Sequence, residues 1–311
     1  MNELSNFSLE DEIDIKKLFF LIFDKKVLIA SITSGFAIIA IIYSLMIPNQ
    51  YQSTIVVAPI ENNADKMSGA ISSSAIGGLA SLAGIDISGE GVSEYKIAIQ
   101  VMQSWGFIEQ FISKNQLESY LVTVTGWDSK ENKLIYDDSL YDPKNKKWLV
   151  PIPSSWALYK AFKNRLMIGE DPKTGMTTVS FKYFSPSHAR DFLQLYIQDI
   201  NDFMKLRKLE TVDKSIDYLQ EQINKTMISD MENVFYQIIA EQTKTKMLAE
   251  AMPEYTFVTI SKAMIPEEKS EPTRSLIVII STILGFILST IAAIIIGLRE
   301  GNSLKPDIDK H

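Results

Sequence analysis

Two long uncharged stretches constrain this chain more than any other feature. Val27 to Ile47 (VLIASITSGFAIIAIIYSLMI) runs for 21 residues without a charged side chain, and Ser275 to Leu298 (SLIVIISTILGFILSTIAAIIIGL) for 24. As helices they would measure about 31 and 36 Å, enough to cross a hydrocarbon core of roughly 30 Å. Buried core helices are the alternative, but uncharged runs of this length are the pattern of membrane spans. A cleaved signal does not fit the first stretch. It begins after 26 residues, exceeds the apolar core of a signal, and continues into Pro48-Asn-Gln-Tyr51 rather than a small-residue cleavage site.

Lysine placement sets the expected orientation. Lys16, Lys17, Lys25 and Lys26 precede the first stretch, whereas Asn49 to Asp65 holds no basic residue. Positive charge stays inside, so the N-terminus is expected in the cytoplasm and a second crossing returns the C-terminus there. The layout that follows is a cytoplasmic segment 1–26, a span 27–47, an outer domain 48–274, a span 275–298 and a cytoplasmic tail 299–311. The outer domain falls in the periplasm of a Gram-negative cell. Ile13 to Lys26 either lies at the membrane surface or lengthens the first span.

Composition removes several function classes. The chain has no cysteine, which excludes thiolate metal sites and cysteine nucleophiles. Its histidines, His188 and His311, lie far apart, so a histidine metal site is not expected. A net charge of −7 argues against nucleic-acid binding. No P-loop follows the second span, which excludes a fused nucleotide-driven kinase. No cofactor is implied.

Within the outer domain, Tyr51 to Ile60, Met176 to Phe184 and Tyr255 to Ala263 read as strands. Ser68 to Gly91, with six Gly, six Ser and four Ala, is either a flexible loop or a place where subunit backbones approach closely. Ser93 to Ser113 has helical spacing, with Ile97, Val101, Trp105 and Ile108 on one face. Asp128 to Pro153 reads as loop and turns, and a short helix runs from Pro153 to about Leu166.

The most informative stretch lies between Pro186 and Pro253, which enclose 66 residues without Gly or Pro. Ser185 is placed as an N-cap with Pro186 at the first helical position. Leu209, Val212, Ile216, Leu219, Ile223, Met227, Met231, Val234 and Ile238 recur at the helical period. An unbroken helix over about 186–252 would be about 100 Å long. A globule of the outer domain's size has a radius of gyration of only about 17 Å. Its exposed stripe would need cover, and copies of the same helix would supply it. A break near Ser229-Asp230, with the halves folded as a hairpin, is the other geometry. Leu219, Ile223, Met227 and Met231 are the candidate helix-packing residues. Pro266 and Pro272 stiffen the connector to the second span. Pro266, Ser270, Pro272, Arg274 and Gly285 form the candidate membrane-proximal motif.

With these elements in this order, the chain resembles the Wzz-type polysaccharide chain-length determinants of the bacterial polysaccharide co-polymerase group. The resemblance rests on Ile13-Asp-Ile before the first span, Leu79-Ala-Ser-Leu-Ala-Gly84, Ser185-Pro-Ser-His-Ala189, Lys246-Met-Leu-Ala249 and the segment Pro266…Ser270-Glu-Pro272. The sequence departs from the family pattern in lacking a further proline between Pro266 and Pro272. It also has only Gly285 and Gly297 in the second span. The resemblance implies an α+β membrane protein: two transmembrane helices flanking a periplasmic domain with a small membrane-proximal sheet and one very long helix. It also implies a non-enzymatic, ring-like homo-oligomer of the inner membrane. Such a protein acts with the Wzy polymerase on an undecaprenyl-linked glycan, O-antigen or a related polymer, and sets its modal length. An export adaptor reaching an outer-membrane channel is the alternative within the same group. A glycan-processing enzyme would need paired carboxylates, for which Asp137, Asp138 and Asp142 are the candidates, although a solvated charged loop explains them as well. Trp127, Trp148 and Trp156 are candidates for sugar stacking or for core.

Overall fold

The computed structural model describes residues 23–60, 94–226 and 228–303. The small-residue stretch 68–91, the Ile13 and Leu79 motifs, Met227 and most of both terminal segments lie outside the described residues. The chain divides into two compact units, residues 1–48 with 271–311, and residues 49–270.

The first unit is a helix pair, α1 (Lys26–Met46) and, at the other end of the chain, the helix Arg274–Ser303. Lys26–Met46 and Arg274–Gly297 are long and apolar enough to cross a membrane. Most of their large side chains face outward, among them Ile38, Ile42, Leu45, Ile280, Ile283 and Ile287. That arrangement is the inverse of a water-soluble pair, and the two helices fall on the uncharged stretches 27–47 and 275–298, the second running on to Ser303.

The second unit is built on an antiparallel sheet. After β1 (Tyr51–Pro59) come α2 (Glu94–Gln103), α3 (Trp105–Lys114) and α4 (Glu118–Val122). Two small hairpins follow, β2 (Val124–Asp128) with β3 (Lys133–Tyr136), and β4 (Tyr141–Asp142) with β5 (Lys147–Trp148). Then come α5 (Ser155–Lys163), β6 (Leu166–Glu170), β7 (Thr177–Tyr183), α6 (Pro186–Lys225), α7 (Ser229–Ala251) and β8 (Phe257–Ser261). The helix of the first unit, Arg274–Ser303, is α8.

The main sheet has the order β6-β7-β1-β8. The three expected strands are all in it. The fourth, β6, was expected as the end of a helix and a turn. It pairs with β7 through the Asp171–Gly175 turn, where Gly175 takes φ +67 and Asp171 accepts from the Lys173 amide at 2.9 Å. The single helix expected over Ser93 to Ser113 is two helices. Ser104 is the N-cap of α3, its hydroxyl accepting from the Phe107 amide at 3.3 Å, and it turns Trp105 off the buried face to 49% exposure.

The core lies between the sheet and the first half of α6. Phe107, Phe111, Phe162, Phe181, Tyr183, Phe192 and Tyr196 form a continuous aromatic cluster there. Two buried polar residues of α6 hold its surroundings. Asp199 accepts from Lys114 Nζ and Asn115 Nδ2, both at 2.8 Å, and so fixes the end of α3. Asn201 accepts from the Thr256 and Phe257 amides at 2.9 Å and donates to the Phe257 carbonyl at 3.0 Å, standing in for a strand partner at the entry to β8.

The long helix is present, but it ends at Lys225 and not at 252. Thr226 and Ile228 are extended, and α7 folds back along α6. Lys246 Nζ meets Asp213 Oδ1 at 2.6 Å, and Lys205 Nζ donates to the Met252 carbonyl, so the two helices are antiparallel. The reason is closure of the sheet. Tyr183 pairs with Tyr51, and Phe257 pairs with Pro59 at the other end of the same nine-residue strand. Those ends are about 30 Å apart, and a helix of about 100 Å cannot join them. Folded back, α6 still runs about 60 Å.

The Cys-free sequence allows a direct test. Cysteines introduced at the exposed Glu210 and Glu250 and spin-labelled, in a sample diluted with unlabelled chain, are expected within about 35 Å of each other. A continuous helix would place them about 60 Å apart.

Candidate functional site

The helix pair of the first unit meets along small side chains. On α8 the residues Gly285, Ser289, Ala293 and Gly297 follow one another at four-residue spacing and all are buried. On α1 they face a row containing Ile29, Thr33, Phe36, Ala40 and Ser44. Thr33 Oγ1 and Ser289 Oγ are 3.3 Å apart. A Cβ on Gly285 would sit 2.7 Å from Phe36 Cβ, so no side chain fits there unless the helices separate. Sequence reading looked for glycine alone in this span. Serine and alanine do the same work, because any side chain this small lets two backbones approach in lipid.

The connector after β8 is pinned to the start of β1 at two points. Ser53 Oγ donates to the Met264 carbonyl at 2.8 Å. Farther along, the amide and hydroxyl of Ser270 both donate to the Gln50 carbonyl, at 2.8 and 3.1 Å. Pro266, half-buried between these ties, brings no N–H and cannot extend the β8 ladder. Of the candidate membrane-proximal motif, Pro266 and Ser270 therefore belong to the sheet unit, whereas Pro272, Arg274 and Gly285 belong to the helix pair.

The helix-packing candidates separate along the α6–α7 hairpin. Leu219 is buried and Ile223 half-buried on the stripe of α6, at a height where α7 is its main cover. Met231, 44% exposed, lies near the hairpin tip. Apolar side chains also face outward, with Leu206, Tyr218, Tyr236 and Met247 each more than half exposed. The pairs expected from spacing, Glu210–Lys214 and Glu221–Lys225, form at 2.6 and 2.5 Å on the solvated surface.

Residues 11–115 match the Wzz family model, that of the chain length determinant proteins. Over that third of the chain the sequence is similar to the Wzz family. The matched region runs from before α1 through β1, α2 and α3. Among solved structures, one described as a full-length bacterial polysaccharide co-polymerase covers 96% of this chain and 100% of its own, with 14% identity and a TM-score of 0.38. A fragment of WzzB, a polysaccharide co-polymerase from Salmonella Typhimurium, covers 72% of this chain and 100% of its own, with 15% identity and a TM-score of 0.32. No curated protein sequence matches the chain.

The carboxylates that a glycan-cleaving site would need are turn residues. Asp137 accepts from the Ser139 hydroxyl and amide at 2.6 and 3.0 Å, and these bonds hold its carboxyl below the usual range. Asp142 is held low in the same way by the Asn145 side chain and amide and the Lys144 amide. A general acid needs its proton held more tightly, so both shifts run the wrong way. Among the described residues, no group of three or more acidic or histidine side chains is placed to hold a metal ion. Trp127 packs edge-on to Tyr51 and Trp148 to Tyr141, both centroid distances being 5.6 Å, so these two serve the fold. Trp156 is 53% exposed and stacks on Tyr159. Sequence reading passed over Trp105 as a face-on core residue. Its indole N–H donates to Ser155 Oγ at 2.9 Å beside Trp156.

His188, in the first turn of α6, packs between Tyr120, Tyr183 and Phe192. Burial pushes its imidazole below the ordinary value of 6.5, against an opposing pull from Asp191. The unfolded chain binds this proton more readily, so this contribution is whole above the ordinary value and is lost as the pH falls through it. The melting temperature is expected to drop between about pH 7 and 5, and His188→Gln to flatten that drop. For the span pair, a disulfide between cysteines at Thr33 and Ser289 is expected in the otherwise native chain. Gly285→Leu should abolish that cross-link.

Proposed function

We propose that this protein regulates the modal chain length of a bacterial surface polysaccharide, O-antigen or a related lipid-linked glycan. It does so without catalysis of its own, as an inner-membrane homo-oligomer working beside the Wzy polymerase. The observation that carries the reading is the chain length determinant match over residues 11–115, which falls on the first span and the start of the sheet unit. The architecture supports it. Two apolar helices bracket a unit that carries a helical hairpin, with α6 about 60 Å and α7 about 35 Å long. The lysines before α1 support an orientation with both termini in the cytoplasm and the sheet unit in the periplasm.

Self-association is supported by the outward apolar residues of the hairpin. Tyr236 and Met247 share one face of α7, and large exposed apolar side chains on a narrow rod are well covered by a neighbouring rod. Leu219 and Ile223 act at one remove, by holding α7 against α6. Met231 acts near the tip. The membrane-proximal motif carries the link to the polymerase, with Pro266 and Ser270 fixing the connector and Gly285 fixing the span pair.

The test is the glycan length ladder of a strain lacking the gene, complemented with variants. The wild-type gene is expected to restore a narrow modal band. Ile223→Pro breaks α6 at a cost of about 3 kcal/mol or more and is expected to shift or broaden that band. A wild-type ladder from Ile223→Pro, with the protein present in the membrane, would refute the role of the hairpin. Loss of surface glycan with its length distribution intact would favour the export adaptor instead.

A further inference from the structure

Two tryptophans of the sheet unit stand half out of the fold, side by side. Trp105 opens α3 and is 49% exposed, and Trp156, in the first turn of α5, is 53% exposed. Tryptophan is highly buried on average, so two half-exposed indoles together need a reason. Both rings are held in place. The Trp105 N–H donates to Ser155 Oγ at 2.9 Å, and Trp156 stacks on Tyr159 with ring centroids 5.1 Å apart. Tyr159 in turn donates its hydroxyl to the Gln103 carbonyl at 3.3 Å. An independent observation is a cleft of about 670 Å³ along the outer face of α2, which reaches Ser104, the residue before Trp105. Ile97, Ile99 and Val101 give this cleft an aliphatic floor. Lys96, Gln100 and Glu170 rim it with exposed polar ends: one cation, one amide and one anion.

We propose that this face binds a saccharide chain. A sugar ring has a face of C–H groups and an edge of hydroxyls, which matches an indole set beside polar side chains. Trp105 and the side of Trp156 away from Tyr159 take the C–H faces. Lys160 Nζ, 5.4 Å from the centre of the Trp156 ring, donates to a sugar hydroxyl there. The chain continues into the cleft, where Lys96 and the Gln100 amide nitrogen donate and Glu170 and the Gln100 amide oxygen accept. The rim carries one charge of each sign, which favours a neutral polyhydroxyl ligand over a simple anion. A protein neighbour would have to bring a counter-charge to both Lys96 and Glu170. A hydroxyl satisfies either, because it donates and accepts. The proposal rests on the function given above for the source of the saccharide, and it names the surface that touches the glycan.

The probe is the surface polysaccharide of the source cell, cleaved by mild acid to oligomers of a few repeat units. It is offered to full-length protein in nanodiscs, which avoid sugar-headed detergents. Saturation-transfer NMR and indole fluorescence read the binding. Saturable binding is expected, with transfer strongest to ring C–H protons. Trp105→Ala and Trp156→Ala are each expected to weaken it about tenfold. Trp156→Phe keeps a ring to stack on and should recover most of the loss. Trp127→Phe, at a ring that packs against Tyr51, should leave binding unchanged. A wild-type melting temperature reports that the alanine variants are folded. No binding by the wild type, or equal binding by all variants, would overturn the site. Alanine variants that bind normally but form smaller oligomers by mass photometry would overturn it too, and would assign the face to a neighbouring copy. The glycan ladder keeps the two readings apart. An altered ladder with binding unchanged sinks the saccharide site and leaves length regulation standing. Lost binding with a normal ladder establishes the site and removes it from length control.

Discussion

The pairing of β1 on both edges governs the second unit. Strand β7 lies on one side and β8 on the other, and the whole of α6 and α7 is inserted between those two strands in sequence. Whatever shape the helical insertion takes, it must leave the sheet and return to the same strand. The hairpin is the shortest solution, and its height is set by how many residues lie between Ser185 and the Asn201 anchor at Thr256 and Phe257. Insertion length in such a topology converts directly into projection, at about 1.5 Å for every two residues added.

The two halves of α6 are stabilised differently as a result. From Ala189 to Met204 the helix is inside the core, with Leu193, Tyr196 and Ile200 almost wholly buried. Above Lys208, whose ammonium meets Glu94 at 2.5 Å, cover comes mainly from α7. The upper part buries less apolar area per residue, and its surface ion pairs add little in water. It is therefore the part whose order depends most on neighbours, whether α7 alone or α7 with further copies.

The contrast between what the residues reveal and what they conceal follows the same division. Spans are legible because a run of uncharged residues as long as a bilayer is thick has few alternatives. The strands were legible from Thr, Val, Ile and Tyr content, and β6 was missed because Leu166–Glu170 is short and ends in Gly-Glu. The direction of the hairpin was concealed because a stripe at the helical period is the same whether the helix continues or doubles back. Weak local signs existed. Thr226 and Ile228 are β-branched, and Ser229-Asp-Met-Glu232 has capping-box spacing, although no side-chain cap bond forms. The stronger sign was non-local. Strands at 176–184 and 255–263 in one small sheet are incompatible with a rod joining them end to end.

The span pair obeys another solvent. In lipid, burying aliphatic groups gains nothing over leaving them in the tails, so close backbone approach and interhelical hydrogen bonds must hold α1 to α8. Hence the large residues point out, and Gly285, Ser289, Ala293 and Gly297 point in. The Thr33–Ser289 contact contributes on the order of 0.6 kcal/mol by comparison with other membrane pairs. The change of rule is abrupt along the chain. Gln50 and Ser270, bonded to each other, each stand four residues from the nearer end of a span helix. Between Ser270 and Arg274 lies Pro272, which continues neither a strand ladder nor a helix begun before it. The sheet ends where its backbone donors are satisfied by Gln50, and α8 begins where the proline has let go. Each unit can thus satisfy its own backbone in its own solvent, with a connector too short to hold a third environment.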